Sequence, residues 1–296
     1  MSLARLLLLV LLLSPLGCGQ APPAALTIAH FNDVYEIGPV EGGRVGGLAR
    51  VATVIKDLRR SNSPVMVTLG GDYLSPSALA VPRIDGEPIG GRQMVDVLNA
   101  VGLEWATLGN HEFDLPEPAF RARMQQSRFK VVISNVTDAT GAMFPNTETF
   151  AVVPVNVGGQ SLRIGLIGVT LEEPKAWVRF APPIEAAKAA IAKMRETGQI
   201  DAIIALTHLP LSGDEALVTS VPDIDVALGG HEHENWLIHR GARLTPIVKA
   251  DANVRTLALV SMTFPQGHRP EVSVRLKPIT SEITADSVVD AEVTRW

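Results

Sequence analysis

Short apolar runs of β type alternate with segments of helical periodicity along this chain, and that alternation limits the folds it can adopt. Leu26–Phe31 and Val65–Gly71 are short, mainly apolar runs, whereas Gly46–Arg60 repeats apolar residues at helical spacing. Continuously apolar strands are typical of sheets that are covered on both faces. We therefore predict an α/β fold in which two sheets pack together with helices outside.

The remaining segments follow the same pattern. The predicted helices after the first are Arg92–Val101, a segment near Pro118–Gln126, and Pro183–Gly198, and the predicted strands include Trp105–Gly109, Lys130–Val136 and a hairpin over Phe150–Thr170 that turns at Gly158 and Gly159. Two more strands end at His208 and just before His231, and three β runs follow, so the last third of the chain turns antiparallel.

Residues 1–25 resemble an export segment rather than part of the fold. An unbroken apolar run from Leu6 to Leu13 is too short to span a bilayer but fits the core of a signal peptide. Cys18 follows that run and resembles the lipid-attachment cysteine of bacterial lipoproteins. The two alternatives are a lipid-anchored protein and a soluble form cleaved within Gln20–Ala25, and both place the protein in the periplasm or at the cell surface.

The composition excludes some partners and some ligands. Lys and Arg number 26 against 31 Asp and Glu, and aromatic residues make up 5%, so a nucleic-acid-binding surface is not expected. Cys18 is the only cysteine, so no internal disulfide forms. Any metal ligands must therefore be His, Asp, Glu or Asn.

Five predicted strands end in residues of metal-ligand type. These residues are Asp33, Asp72, Asn110 with His111 and Asp114 close behind, His208, and the pair His231 and His233. Open α/β folds bind ligands at the carboxyl ends of their strands, so parallel neighbours would bring these side chains to one edge. A mixed set of oxygen and imidazole ligands suits Zn, Mn, Fe or Co. The set is too large for one ion with an open position, and two divalent metal ions that share a carboxylate would use it.

The motifs FND, LGGDY, LGNHEFD, ALTH and GGHEH occur here in the order found in the calcineurin-like metallophosphoesterases. GNHEFD and the helix GGLAR make the chain similar to the 5′-nucleotidase branch. The resemblance covers residues 26–280, implies a four-layer αββα sandwich of two mixed β-sheets flanked by helices, and leaves 281–296 as a C-terminal tail or the remnant of a linker. It also implies a hydrolase that uses metal-activated water to attack phosphorus.

The resemblance assigns a role to each motif. Asp72 would bridge the two metals, Asp33 and His233 would hold the first, and Asn110, His208 and His231 would hold the second. His111 would contact the transferred phosphate or the leaving oxygen, and Asp114 would orient it. A carboxylate paired with an imidazole in this way fixes the useful tautomer. Glu232 and Glu234 alternate with the histidines and are expected to be solvated.

The chain departs from the family pattern at two places. Tyr35 occupies the position where the first motif has a histidine, which leaves one ligand of the first metal uncertain. The nucleotidases of this branch also carry a C-terminal domain that grips the nucleoside, and this sequence stops at Trp296.

The favoured function is an exported phosphoesterase that acts on nucleotides or other phosphomonoesters. One alternative keeps the site but cleaves phosphodiesters or the pyrophosphates of nucleotide sugars. Another is a non-catalytic binding protein on a decayed phosphatase fold.

Overall fold

The structure is a computed structural model that describes residues 24–61, 63–84 and 86–296. Most of the predicted export segment, including Cys18, lies outside those residues. Their strands are β1 Ala25–Phe31, β2 Pro39–Val40, β3 Val45–Gly46, β4 Val65–Leu69, β5 Arg83–Ile84, β6 Glu87–Pro88, β7 Trp105–Ala106, β8 Lys130–Val132, β9 Val136–Asp138, β10 Thr147–Glu148, β11 Phe150–Val157, β12 Gln160–Thr170, β13 Val178–Phe180, β14 Ala202–His208, β15 Val226–Gly229, β16 Trp236–Arg240, β17 Thr245–Lys249, β18 Thr256–Thr263 and β19 Glu271–Pro278. The α-helices are α1 Leu48–Arg59, α2 Arg92–Val101, α3 Glu117–Gln126, α4 Pro183–Glu196, α5 Leu211–Ser220 and α6 Ser287–Arg295. None of the helices in this part of the chain is both long and apolar enough to cross a membrane.

Two mixed sheets hold most of the strands. The first has the order β10-β8-β7-β4-β1-β18-β19, and the second has the order β11-β12-β14-β15-β17-β16. From β10 to β1 and from β12 to β17 all neighbours are parallel, while antiparallel strands flank these blocks. The parallel blocks align the carboxyl ends of β1, β4, β7, β14 and β15.

Apolar side chains divide the molecule into four layers. In β1, Leu26 and Ile28 point into a core between the two sheets, while Ala29 and Phe31 point into a core beneath helices of the first sheet. A third core lies between α4, α5 and the outer face of the second sheet. The predicted α/β sandwich with helices on both outer faces is therefore confirmed.

Two predicted strands are shorter in the structure. The run Trp105–Gly109 forms a strand only at β7, and Lys130–Val136 is divided into β8 and β9. The division follows from Ser134 and Asn135, which turn towards β12: Ser134 N donates to the carbonyl of Gly168, and the Asn135 side chain bonds to the backbone of Thr170. Asn135 is thus a buried connector between segments.

Besides several strands of two or three residues, the helices α5 and α6 and the strand β16 were not predicted from the sequence. The helix α6 lies within the segment 281–296, and it packs against α1 and α2 rather than extending as a tail. Val289 is buried in the core beneath the first sheet's helices, and Asp286 caps the helix by accepting bonds from the N–H groups of Val288 and Val289.

His30 is a buried link between the two sheets. Its Nε2 donates to the carbonyl oxygen of Gly229 in β15 at 3.1 Å, and its Nδ1 lies 2.9 Å from the hydroxyl of Thr68 in β4. If Nε2 carries the proton, Nδ1 accepts from that hydroxyl, so the neutral ring satisfies both contacts. His30 is a structural residue of the core.

The His30 link predicts a loss of stability in acid. Burial lowers the pKa of His30 from 6.5 to about 4. Between these values the unfolded chain binds a proton that the folded chain does not bind. The contribution of neutral His30 to the free energy of unfolding is therefore complete above pH 6.5 and is lost as pH falls towards 4. The loss amounts to roughly 3 kcal/mol. Urea unfolding at pH 6.5 and pH 4 should show that the free energy of unfolding falls by about this amount more in wild type than in His30→Gln. Equal decreases in the two proteins would contradict the prediction.

Candidate metal centre

The polar residues that follow the five parallel strand ends lie together at one edge of the sandwich. Asp33 follows β1 and Asp72 follows β4, both in the first sheet, while His208 ends β14 in the second. A hydrogen bond joins the two sheets here: His208 Nδ1 donates to the carbonyl oxygen of Gly70 at 2.7 Å. The strand-end residues of both sheets therefore face one volume.

Asp33, Asp72 and His208 form the tightest part of this group. One candidate ligand atom from each lies within 4.8 Å of the others, and all three side chains are buried. His208 Nε2 is 3.2 Å from Asp72 Oδ2. Since His208 Nδ1 donates to the carbonyl of Gly70, its Nε2 is the atom left to bind a cation.

Two buried atoms at this edge have no hydrogen-bond partner among the described residues. They are Oδ1 of Asn110 and Nε2 of His208, which has only the 3.2 Å ion-pair contact with Asp72 Oδ2. Buried polar atoms are nearly always paired, so such atoms call for an explanation. A divalent metal ion explains both, because an amide oxygen and an imidazole nitrogen are suitable ligands. The donors present thus fit the metals that the motifs imply.

Glycines allow the backbone to approach this group closely. A Cβ on Gly109 would lie 2.0 Å from Asp72 Oδ1, and a Cβ on Gly230 would lie 2.8 Å from His208 Nδ1. Asp33, Asp72 and His231 themselves have positive φ angles of 51°, 56° and 81°. Such angles are uncommon for residues other than glycine, and they concentrate at functional sites.

His231 and His233 each approach a different oxygen of the Asp33 carboxylate. The backbone N–H of His231 donates to Asp33 Oδ2 at 2.9 Å, and the His231 ring packs edge-on to that of His208 with centroids 5.4 Å apart. His233 Nε2 is 3.7 Å from Asp33 Oδ1, and its side chain is more than half exposed. His231 is therefore the half-buried and His233 the exposed member of the pair beside the carboxylate cluster.

The hydroxyl of Tyr35 lies inside the cluster. It donates towards Asp33 Oδ1 and Asp72 Oδ2, each at 3.2 Å, and is 3.0 Å from His233 Nε2. Burial and the two carboxylates raise the pKa of Tyr35 well above its usual value. The phenol is therefore neutral and contacts three of the residues that the resemblance gives to the first metal.

His111 and Asp114 form a pair at the mouth of the site. His111 Nδ1 is 2.7 Å from Asp114 Oδ2, and Lys175 Nζ is 3.8 Å from the other carboxylate oxygen. The backbone N–H of His111 donates to Asp72 Oδ1 at 2.9 Å. Partial burial would lower the pKa of His111, but the bond to Asp114 outweighs it and the pKa is raised. His111 Nε2 is the ring atom left to contact a ligand.

The charges of the cluster depend on one another. Burial would raise the pKa of Asp72, but His208 outweighs that effect and the pKa is lowered. Burial would likewise lower the pKa of His208, and the Asp72 carboxylate raises it to about 9. Burial raises the pKa of Asp33. A buried carboxylate pair beside one imidazole is a site poised to exchange a proton for a metal cation.

Glu112 is a site residue that could not be predicted from its position in the sequence pattern. Its carboxylate is buried and accepts hydrogen bonds from the backbone N–H groups of Asp72, Tyr73, Leu74 and Gly109. Burial and the Asp72 charge raise its pKa to about 7. Glu112 thus ties the turn that carries Asp72 to the turn that carries Asn110. Its place inside GNHEFD was the only available signal.

One sequence expectation about this region is wrong. Glu232 is not solvated: its Oε1 accepts from the N–H of Leu211 at 2.7 Å, and its Oε2 contacts the ammonium group of Lys249. Glu234 is exposed as expected. The alternation rule fails because residues 230–234 do not form a strand and His231 has a positive φ.

Replacing Tyr35 by histidine should strengthen the weaker metal position. The phenol that contacts Asp33, Asp72 and His233 is a poor ligand while neutral, whereas imidazole suits Zn and Mn. We expect Tyr35→His to bind the weaker of two ions at least about tenfold more tightly in a calorimetric titration. Tyr35→Phe, which removes only the hydroxyl, is the matched control. Unchanged affinities in Tyr35→His would show that the residue at this position does not reach the ion.

Comparison with known proteins places this geometry in a family. The family model described as calcineurin-like phosphoesterase matches residues 26–235. The snake venom 5′-nucleotidase of Gloydius brevicauda is 27% identical over 314 residues, which cover 91% of this chain and 50% of that protein. The chain spans about half the length of the curated 5′-nucleotidases it matches.

Solved structures share the fold. The 5′-nucleotidase precursor of Thermus thermophilus superposes with a TM-score of 0.76 at 22% identity, covering 92% of this chain and 58% of that one. The calcineurin-like phosphoesterase YfkN of Bacillus subtilis gives a TM-score of 0.74 at 19% identity and covers 93% and 97% of the two chains.

Proposed function

The chain belongs to the calcineurin-like phosphoesterase family, and from that premise we propose that it hydrolyses phosphate esters of the 5′-nucleotide class with two divalent metal ions. The observation that carries the proposal is the buried group of Asp33, Asp72 and His208 beside the unpartnered oxygen of Asn110. Oxygen and imidazole donors without thiolate suit Mn, Zn, Fe or Co. Similarity to 5′-nucleotidases supports the substrate class.

The two ions would divide the ligands between them. Asp33, Asp72 and His233 would hold the first, and Asp72 would be shared with the second. The second ion would also take Asn110, His208 and His231, which is a complete set of oxygen and nitrogen donors. When bound, such ions polarise phosphate oxygens and lower the pKa of water.

His111 and Asp114 supply the acid–base chemistry. Asp114 holds the Nδ1 proton, so His111 offers Nε2 to a phosphate or leaving oxygen. The raised pKa of His111 favours the protonated ring, which donates to the oxygen on which charge develops. Asp114 keeps the ring oriented throughout.

Export is a separate part of the proposal and rests on residues 1–25 alone. The apolar run Leu6–Leu13 supports export to the periplasm or the cell surface. The position of Cys18 after that run supports a lipid anchor as the membrane attachment.

The test is reconstitution of the purified chain with Mn or Zn, followed by elemental analysis and assay of five substrates. The substrates are an aryl phosphate, a bis-aryl phosphate, AMP, a cyclic nucleotide and a nucleotide sugar. We expect about two ions per chain. We also expect kcat/KM for AMP to exceed that for the diesters by about tenfold or more, which is about 1.4 kcal/mol.

Each alternative predicts a different pattern. Preference for the bis-aryl phosphate, the cyclic nucleotide or the nucleotide sugar would identify a phosphodiester or pyrophosphate hydrolase at the same site. Two bound ions with no hydrolysis of any substrate would identify a binding protein. A metal content near zero would overturn the site assignment itself.

A further inference from the structure

A fully buried lysine, Lys249, contacts the chain segments that carry His208 and His231. Lys249 Nζ donates to the carbonyl oxygen of Leu209 at 2.7 Å, contacts Glu232 Oε2, and forms an ion pair with Asp214 Oδ2 at 2.8 Å. Leu209 directly follows His208, and Glu232 directly follows His231. One ammonium group therefore connects the chain segments that carry both histidines.

The Glu232 carboxylate extends this connection to α5. One oxygen contacts Lys249, and the other accepts from the N–H of Leu211, the first residue of the helix. Asp214 lies in the same first turn and is also buried. Both carboxylates thus tie the start of α5 to the end of β17.

Gly229 has no side chain, and this allows Lys249 and Asp214 to approach its backbone closely. A Cβ on Gly229 would lie 3.1 Å from Lys249 Cε and 3.3 Å from Asp214 Oδ2. The same Cβ would lie 2.8 Å from Thr207 Oγ1, so the close approach of Thr207 and of this cluster together favours glycine before Gly230 and His231 in GGHEH.

Stability alone does not account for such an arrangement. Taking an ammonium group out of water costs several kcal/mol, and a buried ion pair is often no more stabilising than apolar residues of similar volume. The use of buried charge that is best supported is the fixing of one particular geometry. Here the geometry that the cluster fixes is the spacing of two candidate metal ligands.

We propose that Lys249, Glu232 and Asp214 form a positioning network that holds His231 relative to His208 and so sets the affinity of the metal position these histidines share. The proposal rests on the proposed function for the presence of a metal at that position. Within the part of the chain that the structure describes, no hydrogen bond or ion pair joins any of the three residues to a candidate ligand atom. Groups that orient metal ligands in this way change affinity by about 10–100-fold when they are altered.

The experiment compares two neighbouring glutamates, Glu232→Gln and the exposed control Glu234→Gln. Glutamine at 232 would keep one acceptor oxygen but turn an N–H group towards either Leu211 or Lys249, both of which donate. Titration of each metal-free protein with Mn, Zn and Co is followed by calorimetry, and the Co absorption spectrum reports the geometry of the site. Thermal melting of the metal-free proteins reports folding.

We expect Glu232→Gln to bind one of two ions about 10–100-fold more weakly, with the other ion unaffected and the Co spectrum altered. Excess metal should restore its turnover. Asp214→Asn should weaken the same ion, and Glu234→Gln should match wild type.

Several results would overturn the network. These are wild-type affinities in Glu232→Gln, an equal loss in Glu234→Gln, or equal weakening of both ions together with a lowered melting temperature. A wild-type chain that binds two ions but hydrolyses nothing would contradict the proposed function. The metal affinities of Glu232→Gln and Glu234→Gln would still test the positioning network in that case. A wild-type chain that binds no metal would overturn both proposals.

Discussion

Replacing His111 with alanine should lower turnover by about 10²–10⁴-fold, the usual contribution of a positioned acid–base or charge-stabilising group. Its Nδ1 is held by Asp114 at 2.7 Å, so the ring is fixed and Nε2 is the nitrogen left for the proposed contact with substrate. A flexible or wrongly oriented imidazole would contribute much less. The loss should appear in kcat, because the interaction forms mainly with the oxygen on which charge develops.

Metal content should hardly change in His111→Ala. The His111 side chain contacts Asp114 rather than the buried carboxylates, and only its backbone N–H reaches Asp72. Elemental analysis of the desalted variant should therefore match wild type. His239→Ala, at an exposed position in β16, is the control for loss of a histidine. A variant that loses metal together with activity would show that His111 belongs to the ligand set.

The strand ends could be predicted because apolar continuity and glycine are local signals. A buried parallel strand is apolar at most positions, so its end is visible where Gly70 or Gly229 interrupts the run. Parallel neighbours then bring the following residues to one edge without any knowledge of the loops. This is how Asp72 and His231 could be placed at the same edge before the structure was known.

The missed elements depend on contacts from distant parts of the chain. The helix α5 contains Gly213 and several hydroxyl residues, so its sequence has weak helical periodicity, and it forms by packing on the second sheet. The strand β16 is an exposed edge strand with no continuous buried run. Short amphipathic or edge elements of this kind carry too little local information to be recognised.

The roles of Glu112 and Glu232 could not be predicted for a different reason. Glu112 and Glu232 act through backbone N–H groups and a lysine that are distant in sequence or on another element. A rule based on alternation predicts only on which side of a strand a residue lies. Where the chain leaves strand geometry, as at His231, the partner of a carboxylate depends on the tertiary fold.

Asp72→Asn should weaken metal binding at both positions while the chain still folds. Asparagine has the same shape, so its amide oxygen replaces Asp72 Oδ1 in accepting from the N–H of His111. The amide nitrogen then faces His208 Nε2 and the Tyr35 hydroxyl, both of which can accept its protons. The fold therefore retains its contacts, and the repulsion that Asp72 exerts on Asp33 is removed.

Asp72→Asn should lower metal affinity far more than it lowers the stability of the fold. Asp72 is the carboxylate proposed to be shared by both ions, and an amide nitrogen is not a ligand for them. We expect metal content to fall from about two ions to less than one, and kcat/KM to fall by about 10³-fold or more, which is about 4 kcal/mol. Asp57→Asn, on the exposed face of α1, is the control for loss of an aspartate.

The two substitutions together separate the roles of the site. His111→Ala should lose turnover and keep metal, whereas Asp72→Asn should lose both and keep its melting temperature in the metal-free state. The metal-free comparison matters, because a protein that binds metal only when folded is stabilised by it. If Asp72→Asn retained two ions per chain, the carboxylate would not be shared between them. The first metal position would then depend on Asp33, His233 and the hydroxyl of Tyr35, and the tyrosine would have to be a ligand.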